Sequence, residues 1–125
     1  MRPHGHFIAL FILLLASGTA TASWTENGII FCPDYGNQES PAIVPDGRGG
    51  AIVLWKDDRY QPYLQRVDGY GDVRWGMDGI SLVTGGCDYN HMVCHSDGLG
   101  GIIAIYDDHV AVGAYAIAGQ RINAD

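Results

Sequence analysis

One glycine-rich motif occurs twice in the sequence, and this repetition constrains the fold more than any other feature. The first copy is the turn Asp46–Gly50 followed by the apolar run Ala51–Trp55. The second copy, Asp97–Gly101 followed by Ile102–Tyr106, begins 51 residues later. Similar short segments at a fixed period are the sequence signature of a repeat architecture. We therefore predict two copies of one structural unit.

Residues outside the motif agree in the same register. The aligned pairs are Trp24 with Trp75, Gly28 with Gly79, Ile29 with Ile80, Trp55 with Tyr106 and Asp57 with Asp108. The match then slips by four residues, after which Gln65–Asp68 aligns with Gln120–Asn123. Loops tolerate inserted residues well, so we expect an insertion between Asp108 and Gln120 that lengthens one hairpin loop.

Within the first unit, the pattern predicts four short strands joined by hairpin turns. The strands are Pro41–Pro45, Ala51–Trp55, Tyr63–Val67 and Val73–Trp75, and the turns are Asp46–Gly50 and Asp68–Asp72. The second strand is a continuous apolar run, which is typical of a strand covered on both faces, and the third is more polar. Glycine suits the turns because their backbone reaches positive φ. These features predict an all-β fold built from antiparallel four-stranded blades of a β-propeller, with about two repeats present.

The N-terminus has the pattern of a secretory signal peptide. A weakly basic start with Arg2 precedes the apolar stretch Phe7–Ala16, and Ala20–Ala22 supplies the small residues of a cleavage site. A membrane anchor is the alternative, but a helix that spans the bilayer needs about 20 apolar residues, and Ser17 interrupts this run. We predict a signal peptide at residues 1–22, an N-terminal strand plus the first unit at residues 23–74, and a second, incomplete unit at residues 75–125. The mature protein is expected to be secreted or periplasmic, without membrane association after cleavage.

The charge of the sequence limits its partners. Seven Lys and Arg residues against fourteen Asp and Glu residues give a net charge of -7, with no basic block. Nucleic acids and anionic membrane surfaces carry the same sign of charge, so neither is expected as a partner. At 125 residues the chain amounts to one domain at most.

The three cysteines, Cys32, Cys87 and Cys94, would meet an oxidising environment after export. Three is an odd number, so one thiol remains or pairs elsewhere. Cys87 and Cys94 are the disulfide candidate because only a short loop separates them. A zinc site is the alternative, since Cys87, Asp88, His91, Cys94 and His95 lie close together, but their spacing matches none of the usual zinc patterns. The repeat register also places Cys94 at Ile43, an apolar strand position, so no metal site is predicted.

The combined motif resembles the repeat of large secreted bacterial proteins of β-propeller type. It reads W-x-x-x-G-I, D-G-x-G-G-[AI]-I, W-x-D-D-R, Q-R-V-D-x-x-G and then W. Residues 24–75 match it closely, whereas residues 75–125 depart from it, with Tyr106 in place of the tryptophan, His109 near the position of Arg59, and an insertion. Members of that family are mostly uncharacterised. The resemblance therefore implies a propeller fold and an extracellular location rather than an activity.

Two repeats are too few for a closed propeller, which uses about 4 to 8 blades, and stacked arrays need about 3 repeats or more. In one interpretation the chain is part of a longer propeller whose further blades cover its sheets. In the other, several copies of the chain close a ring as a homo-oligomer. The sequence leaves both interpretations open.

The aromatic and charged residues of the sequence favour a binding or structural role over catalysis. Aromatic side chains at a propeller face would stack on sugar rings or peptides, and Arg59 with Asp57 would add polar contacts. The aromatic residues considered are Trp24, Trp55, Trp75, Tyr60, Tyr63 and Tyr70. The candidate ligand-binding residues are Trp55, Asp57, Arg59, Tyr106 and Asp108. The alternative is that the large aromatic residues pack between blades. We expect a secreted structural or binding protein, with an extracellular glycan or protein as its partner.

Other functions find less support in the sequence. A small carbohydrate-binding protein that oligomerises into a propeller is the alternative function, and a fragment of a propeller glycoside hydrolase is a weaker one. Such a hydrolase needs two carboxylates across a sugar, whereas Asp57 and Asp58 are neighbours that point to opposite faces of a strand. No cofactor is predicted. Calcium could be held by the aspartates Asp57, Asp58, Asp68, Asp72, Asp107 and Asp108, but no D-x-D-x-D-G loop is present, and turn formation accounts for these residues.

Overall fold

The structure is a computed structural model, and it describes residues 24–33, 36–59, 61–83 and 91–125. The described residues form seven strands: β1 (Gln38–Pro45), β2 (Ala51–Asp57), β3 (Pro62–Val67), β4 (Ile80–Ser81), β5 (Met92–Ser96), β6 (Ile102–Ala111) and β7 (Ala114–Ile122). All strand pairs are antiparallel, in a four-stranded sheet of order β1-β2-β3-β4 and a three-stranded sheet of order β5-β6-β7. This confirms the prediction of an all-β fold with antiparallel sheets. Across these residues no helix is long and apolar enough to cross a membrane.

The first sheet is a meander in which each strand pairs with the next along the chain. Val44 faces Ile52 in the pair β1 and β2, and Trp55 faces Tyr63 in the pair β2 and β3. Four successive residues of β2, from Ile52 to Trp55, are all buried. Side chains of successive strand residues point to opposite faces, so β2 is covered on both faces, as its apolar run predicts.

The predicted fourth strand at Val73–Trp75 is wrong. Val73 makes only a single bridge to Val67, and β4 lies further on, where Ile80 faces Leu64. The reason is the buried side chain of Gln65, whose Oε1 accepts from the Trp75 N–H at 2.9 Å and whose Nε2 donates to the carbonyl of residue 76 at 2.6 Å. The side chain of Gln65 thus satisfies the backbone at residues 75 and 76, so pairing with β3 does not extend past Arg74, whose N–H donates to the Arg66 carbonyl at 2.8 Å.

The insertion in the second unit does not enlarge a loop, contrary to the prediction. Its residues instead continue β6 and β7, and His109 faces Tyr115 near the end of this long hairpin. The turn that joins the two strands contains Gly113 at a φ of 73°, a conformation that glycine adopts without steric cost. The inserted residues therefore extend the second sheet beyond the length of the first.

The two sheets pack face to face, and the core lies between them. β1 of the first sheet contacts β5 of the second. The first sheet contributes Val44, Ile52, Leu54 and Leu64 to the core, Leu82 joins them just after β4, and the second sheet contributes Ile102, Ala104 and Tyr106. One face of each sheet is thus buried against the other sheet.

The two glycine-rich turns have the same geometry. Asp46 Oδ1 accepts from the N–H groups of Arg48 and Gly50, both at 2.8 Å. In the second copy, Asp97 Oδ1 accepts from the N–H groups two and four residues later, at 2.8 and 2.9 Å. A side chain at Gly50 or at Gly101 would place its Cβ 2.2 Å from a backbone carbonyl of the third strand in its own sheet. The aspartate closes each turn, and the last glycine lets the third strand approach.

Each turn aspartate also binds an arginine of the third strand in its sheet. Arg66 donates to Asp46 Oδ2 at 3.1 and 3.2 Å, and Arg121 contacts Asp97 Oδ2 at 2.8 Å through Nε and Nη2. These are the two arginines that align after the four-residue slip. Burial by itself raises the pKa of Asp46, but hydrogen bonds from the turn and from Arg66 outweigh it, so this pKa lies below its ordinary value. Hydrogen bonds from the turn and from Arg121 likewise lower the pKa of Asp97.

Candidate functional site

Three of the predicted ligand-binding residues lie together where β2 runs into the hairpin that leads to β3. We call Trp55, Asp57, Arg59 and Tyr63 the Trp55 corner. Because Trp55 and Tyr63 are register partners, their rings stack, with centroids 6.2 Å apart and an angle of 24° between the planes. The guanidinium carbon of Arg59 lies 3.4 Å from the centroid of the Tyr63 ring. A cation over an aromatic face is attracted by the ring quadrupole, so Arg59 is held against the face of the Tyr63 ring.

An ion pair fixes the orientation of Arg59. Its Nε donates to Asp57 Oδ2 at 2.7 Å, its Nη2 also contacts that oxygen, and its backbone N–H donates to Asp57 Oδ1 at 2.8 Å. The hydrogen-bonded carboxylate raises the pKa of Arg59, so the guanidinium stays charged. Nη2 also lies 3.6 Å from Cys32 Sγ, which ties the corner to the segment that precedes β1.

A groove of about 250 Å³ opens beside the Trp55 corner. Its lining residues are Phe31, Cys32, Gln38, Glu39, Pro41, Val53 and Trp55. Most of this lining is apolar, and an amide and a carboxylate lie at one side. Small-molecule sites commonly combine an apolar lining with a few polar groups that fix orientation.

Trp55 lines this groove, and its indole N–H is unusual. Trp55 is only 4% exposed, and its Nε1 is buried with no hydrogen-bond partner among the described residues. A buried donor without an acceptor costs about 1 to 3 kcal/mol, and a buried tryptophan N–H usually has a partner. An acceptor supplied by a ligand or a water would remove this cost.

The other two predicted ligand-binding residues lie elsewhere. Tyr106 and Asp108 are both on β6, and Tyr106 belongs to the core between the sheets. That core covers the face of β2 that carries Ile52, whereas Trp55 lies on the opposite face because strand residues alternate. Burial, together with the nearby Asp108 carboxylate, raises the pKa of Tyr106. The structure therefore does not combine Tyr106 and Asp108 with the Trp55 corner, although Tyr106 is the repeat equivalent of Trp55.

Two of the three cysteines lie within the described residues. Cys32 and Cys94 form no disulfide with any other described residue, both are half-buried, and burial raises the pKa of the Cys94 thiol. Cys87 lies outside the described residues, so its pairing with Cys94 remains a prediction. Residues 1–22, the predicted signal peptide, lie outside them as well.

The described residues of the candidate zinc site do not direct their side chains to one point. Cys94 and His95 are successive residues of β5, so their side chains leave opposite faces of the sheet. His91 instead lies with its Nδ1 at 3.3 Å from Asp107 Oδ2. Asp88, like Cys87, lies outside the described residues. Nowhere in the described ranges do three His, Cys, Asp or Glu side chains form a group that could hold a metal ion.

Four of the six aspartates considered as calcium ligands have side chains that bind groups of the protein. Asp57 is paired with Arg59, and Asp58 accepts from the backbone N–H of Asn37 at 2.9 Å. Asp68 closes its own turn by accepting from the N–H groups two and four residues later, at 2.9 and 3.1 Å. Asp107 accepts from the His91 N–H at 2.9 Å. The contacts of Asp57 and Asp68 agree with the role of aspartate in turns, whereas Asp58 and Asp107 hold segments that are distant in sequence.

The sequence did not identify the groove residues Phe31, Cys32 and Glu39 as part of a site. A signal existed for Tyr63, because a hairpin centred between the two predicted strands pairs this residue with Trp55. Nothing in the spacing of residues 31–39 indicates that they lie against β2, since that contact depends on the path of the chain before β1.

Comparison of this chain with protein-family models, curated proteins and solved structures finds no match.

Proposed function

We propose that this chain is a secreted repeat protein of β-propeller type with a structural and binding role, in which the two sheets are consecutive blades. One observation carries the proposal. Two sheets that contain the same turn, closed by the same aspartate–arginine pair, stack face to face with β1 against β5. Propeller blades are antiparallel sheets repeated around a central channel, and stacking of this kind places equivalent strands of neighbouring blades side by side.

Export is part of the same proposal and is supported by the pattern of residues 1–22. It is tested by expressing the full chain in a bacterial host and sequencing the N-terminus of the protein recovered outside the cytoplasm. Cleavage after Ala22 is the expected result, and an intact N-terminus in the cytoplasmic fraction would contradict export.

A tandem chain tests the blade proposal. Residues 24–125 are joined through a flexible glycine-serine linker to a second copy of the same residues. In repeat proteins, stability is approximately the sum of unit stabilities and nearest-neighbour interface terms, so one added interface should raise the urea concentration at the unfolding midpoint. Ile105 lies on the face of β6 that points away from the core and is 39% exposed, so it would line the added interface. The control is the same tandem chain with Ile105→Lys in its first copy, which should return the midpoint to that of the single chain. An unchanged midpoint in the tandem chain would contradict the proposal.

Carbohydrate binding is the second candidate, and the groove beside the Trp55 corner favours it. Tyrosine and tryptophan rings with an arginine, an amide and a carboxylate close by are groups that contact both the faces and the hydroxyls of sugars. Trp55 lines the groove, and its indole Nε1 is a buried donor without a partner among the described residues, so a hydroxyl oxygen that reached it would accept a hydrogen bond. A hydrolase finds no comparable support in the described residues.

A glycan array tests the second candidate. The folded protein is applied together with the variant Trp55→Phe, which keeps an aromatic ring but removes the N–H, and with Trp75→Phe as the matched control. One hydrogen bond of about 1.4 kcal/mol corresponds to about tenfold in affinity, so Trp55→Phe should weaken sugar binding by about that factor, while the control should not. If the wild-type protein bound no sugar on the array, carbohydrate binding would be rejected, and the blade proposal would be unaffected.

A further inference from the structure

The third strands of the two sheets are equivalent, but they differ in what lies at their outer edge. Gln65 of β3 faces Val53, and Gln120 of β7 faces Ala104, which is the repeat equivalent of Val53. On its other side β3 pairs with β4. Among the described strands, β7 pairs with β6 alone. The free edge of β7 is therefore the position that β4 fills in the first sheet.

The segment that contains β4 is held on β3 by a side chain and by close backbone contact. Gln65 accepts from the Trp75 N–H at 2.9 Å and donates to the carbonyl of residue 76 at 2.6 Å. Further along, Ile80 faces Leu64. A Cβ at Gly79 would lie 2.2 Å from the carbonyl oxygen of Leu64, so a residue with a side chain could not approach β3 this closely.

A second version of this segment lies at residues 24–31. In the repeat register Trp24 corresponds to Trp75, and Gly28 corresponds to Gly79. The two glycines have φ values of 88° and 74°, both in the left-handed region that favours glycine. The chain therefore contains two segments of the type that β3 binds.

In its own chain, the segment 24–31 belongs to none of the described strands. The side chains of Trp24 and Ile29 lie near Gly71 of the first sheet. Most of the segment is exposed to solvent, and Ile30 is 76% exposed. The segment thus has few contacts to lose, and it leaves the edge of β7 in its own chain uncovered.

The glutamine that holds the first segment has an exposed equivalent. Gln65 is 0% exposed, whereas Gln120 on β7 is exposed. A carboxamide both donates and accepts hydrogen bonds, so Gln120 can bind one N–H and one carbonyl of an added segment. The unpaired backbone groups of an edge strand are also a template for pairing with another chain.

We propose that the free edge of β7 binds residues 24–31 of a second copy of this chain, in the way that β3 binds residues 75–82. Gln120 binds the backbone at residues 24 and 25, as Gln65 binds it at residues 75 and 76. Addition of an extended segment to a sheet edge is a common mode of recognition. The inference rests on the blade proposal, because it requires the second sheet to be an incomplete equivalent of the first.

The first experiment measures the mass of the full chain over a dilution series, by size-exclusion chromatography with light scattering. Wild-type protein should have the mass of two copies or more at high concentration. Gln120→Ala removes the carboxamide and should weaken this association by about tenfold. Gln61→Ala removes the same group in the hairpin between β2 and β3, outside both binding partners, and should associate as the wild type does. Circular dichroism confirms that each variant is folded.

The second experiment uses a fluorescently labelled peptide of residues 24–31, added to dilute protein and followed by anisotropy. The peptide should bind the wild type, and Gln120→Ala should weaken its binding by about tenfold. The matched control is the same peptide with Gly28→Ala, which should not bind. Its added Cβ would meet the backbone of β7, as a Cβ at Gly79 would meet the backbone of β3.

Three outcomes would overturn the proposal. One is a wild-type protein that stays monomeric at the highest soluble concentration. Another is self-association of Gln120→Ala equal to that of the wild type. The last is equal binding of the peptides with and without Gly28→Ala.

The tandem chain separates this inference from the blade proposal. Gln120→Ala in its first copy should remove part of the stabilisation, because the second copy supplies residues 24–31 to that edge. Full stabilisation in this variant would reject the inference and retain the blade proposal, whereas an unstabilised tandem chain would reject the blade proposal.

Discussion

The two sheets of this chain share a turn and an aspartate–arginine pair, yet they differ in how they are covered. β2 of the first sheet is buried on both faces, whereas β6 of the second sheet is buried on one face only. Their apolar content is similar, so the difference comes from what packs against each sheet. Each repeat unit therefore specifies its own turn and strands locally, whereas burial of the second face of its sheet depends on what packs against it.

The largest change in stability is expected when Ile52 is truncated, and its repeat equivalent Ile103 should respond less. Ile52→Ala should destabilise the chain by about 2 to 5 kcal/mol, the range for truncating a fully buried isoleucine. Ile103→Ala removes the same atoms at the equivalent position, but this side chain is 43% exposed, so the loss should be clearly smaller. Urea unfolding of both variants, at a concentration where the chain is monomeric, measures the difference. Equal losses would mean that Ile103 is covered within the chain.

The next prediction concerns a feature that the two sheets share. An alanine at Gly50 or Gly101 would bring its Cβ to 2.2 Å from Val67 O or Ile122 O. Overpacking of this kind costs about 1 to 3 kcal/mol, and it should be the same in Gly50→Ala and Gly101→Ala because the local geometry is the same. Thermal unfolding of the two variants checks this. A large loss in only one of them would show that the turns are not equivalent in solution.

A smaller effect should distinguish the two turn aspartates. Asp46 and its partner Arg66 have side chains that are 1% and 12% exposed, whereas Arg121, the partner of Asp97, is 50% exposed. Asp46→Asn should cost about 1 to 2 kcal/mol because it weakens a hydrogen bond to a buried charged group, and Asp97→Asn should cost less because water competes for the exposed arginine. Urea midpoints of the two variants give the order, and a larger loss for Asp97→Asn would contradict the burial argument.

The smallest expected effect is on the acid side of the pH profile. The pKa values of Asp46 and Asp97 lie below the ordinary value in the folded chain, whereas an unfolded aspartate titrates at about 3.9. The stabilisation is therefore complete above that pH and is lost as the pH falls through the lowered folded pKa values. Urea midpoints of the wild type should fall between about pH 5 and pH 2, and those of Asp46→Asn should fall less steeply. Parallel curves for the two proteins would show that Asp46 does not contribute.

The sequence predicts best where the structure is local. The Asp46–Gly50 turn and the strand that follows it were predictable, because an aspartate closes its own turn and a strand covered on both faces is apolar throughout. The pairing of Arg66 and Arg121 with equivalent aspartates also follows the register, including the four-residue slip. The predicted strand at Val73–Trp75 is reduced to one bridge and one backbone hydrogen bond to β3, because a buried glutamine side chain takes the hydrogen bonds at residues 75 and 76.

The contacts between the two sheets could not be predicted from the sequence. Trp55 and Tyr106 occupy equivalent positions, and the sequence therefore grouped them as one candidate site. Their separation depends on the order of stacking, which places Tyr106 in the core and Trp55 on the far face of the first sheet. The groove residues Phe31 and Cys32 were missed for a related reason, since the path of a segment without regular structure is set by the surface it covers.

One measurement tests directly whether the second sheet is an uncovered equivalent of the first. The isoleucine methyl groups are labelled, and their relaxation by a soluble paramagnetic agent is recorded for Ile52 and Ile103 in a dilute sample. We expect the Ile52 methyl groups to be shielded and those of Ile103 to be accessible, as their exposed fractions of 0% and 43% require. An Ile103 methyl group that is as well shielded as that of Ile52 would contradict this difference between the two sheets.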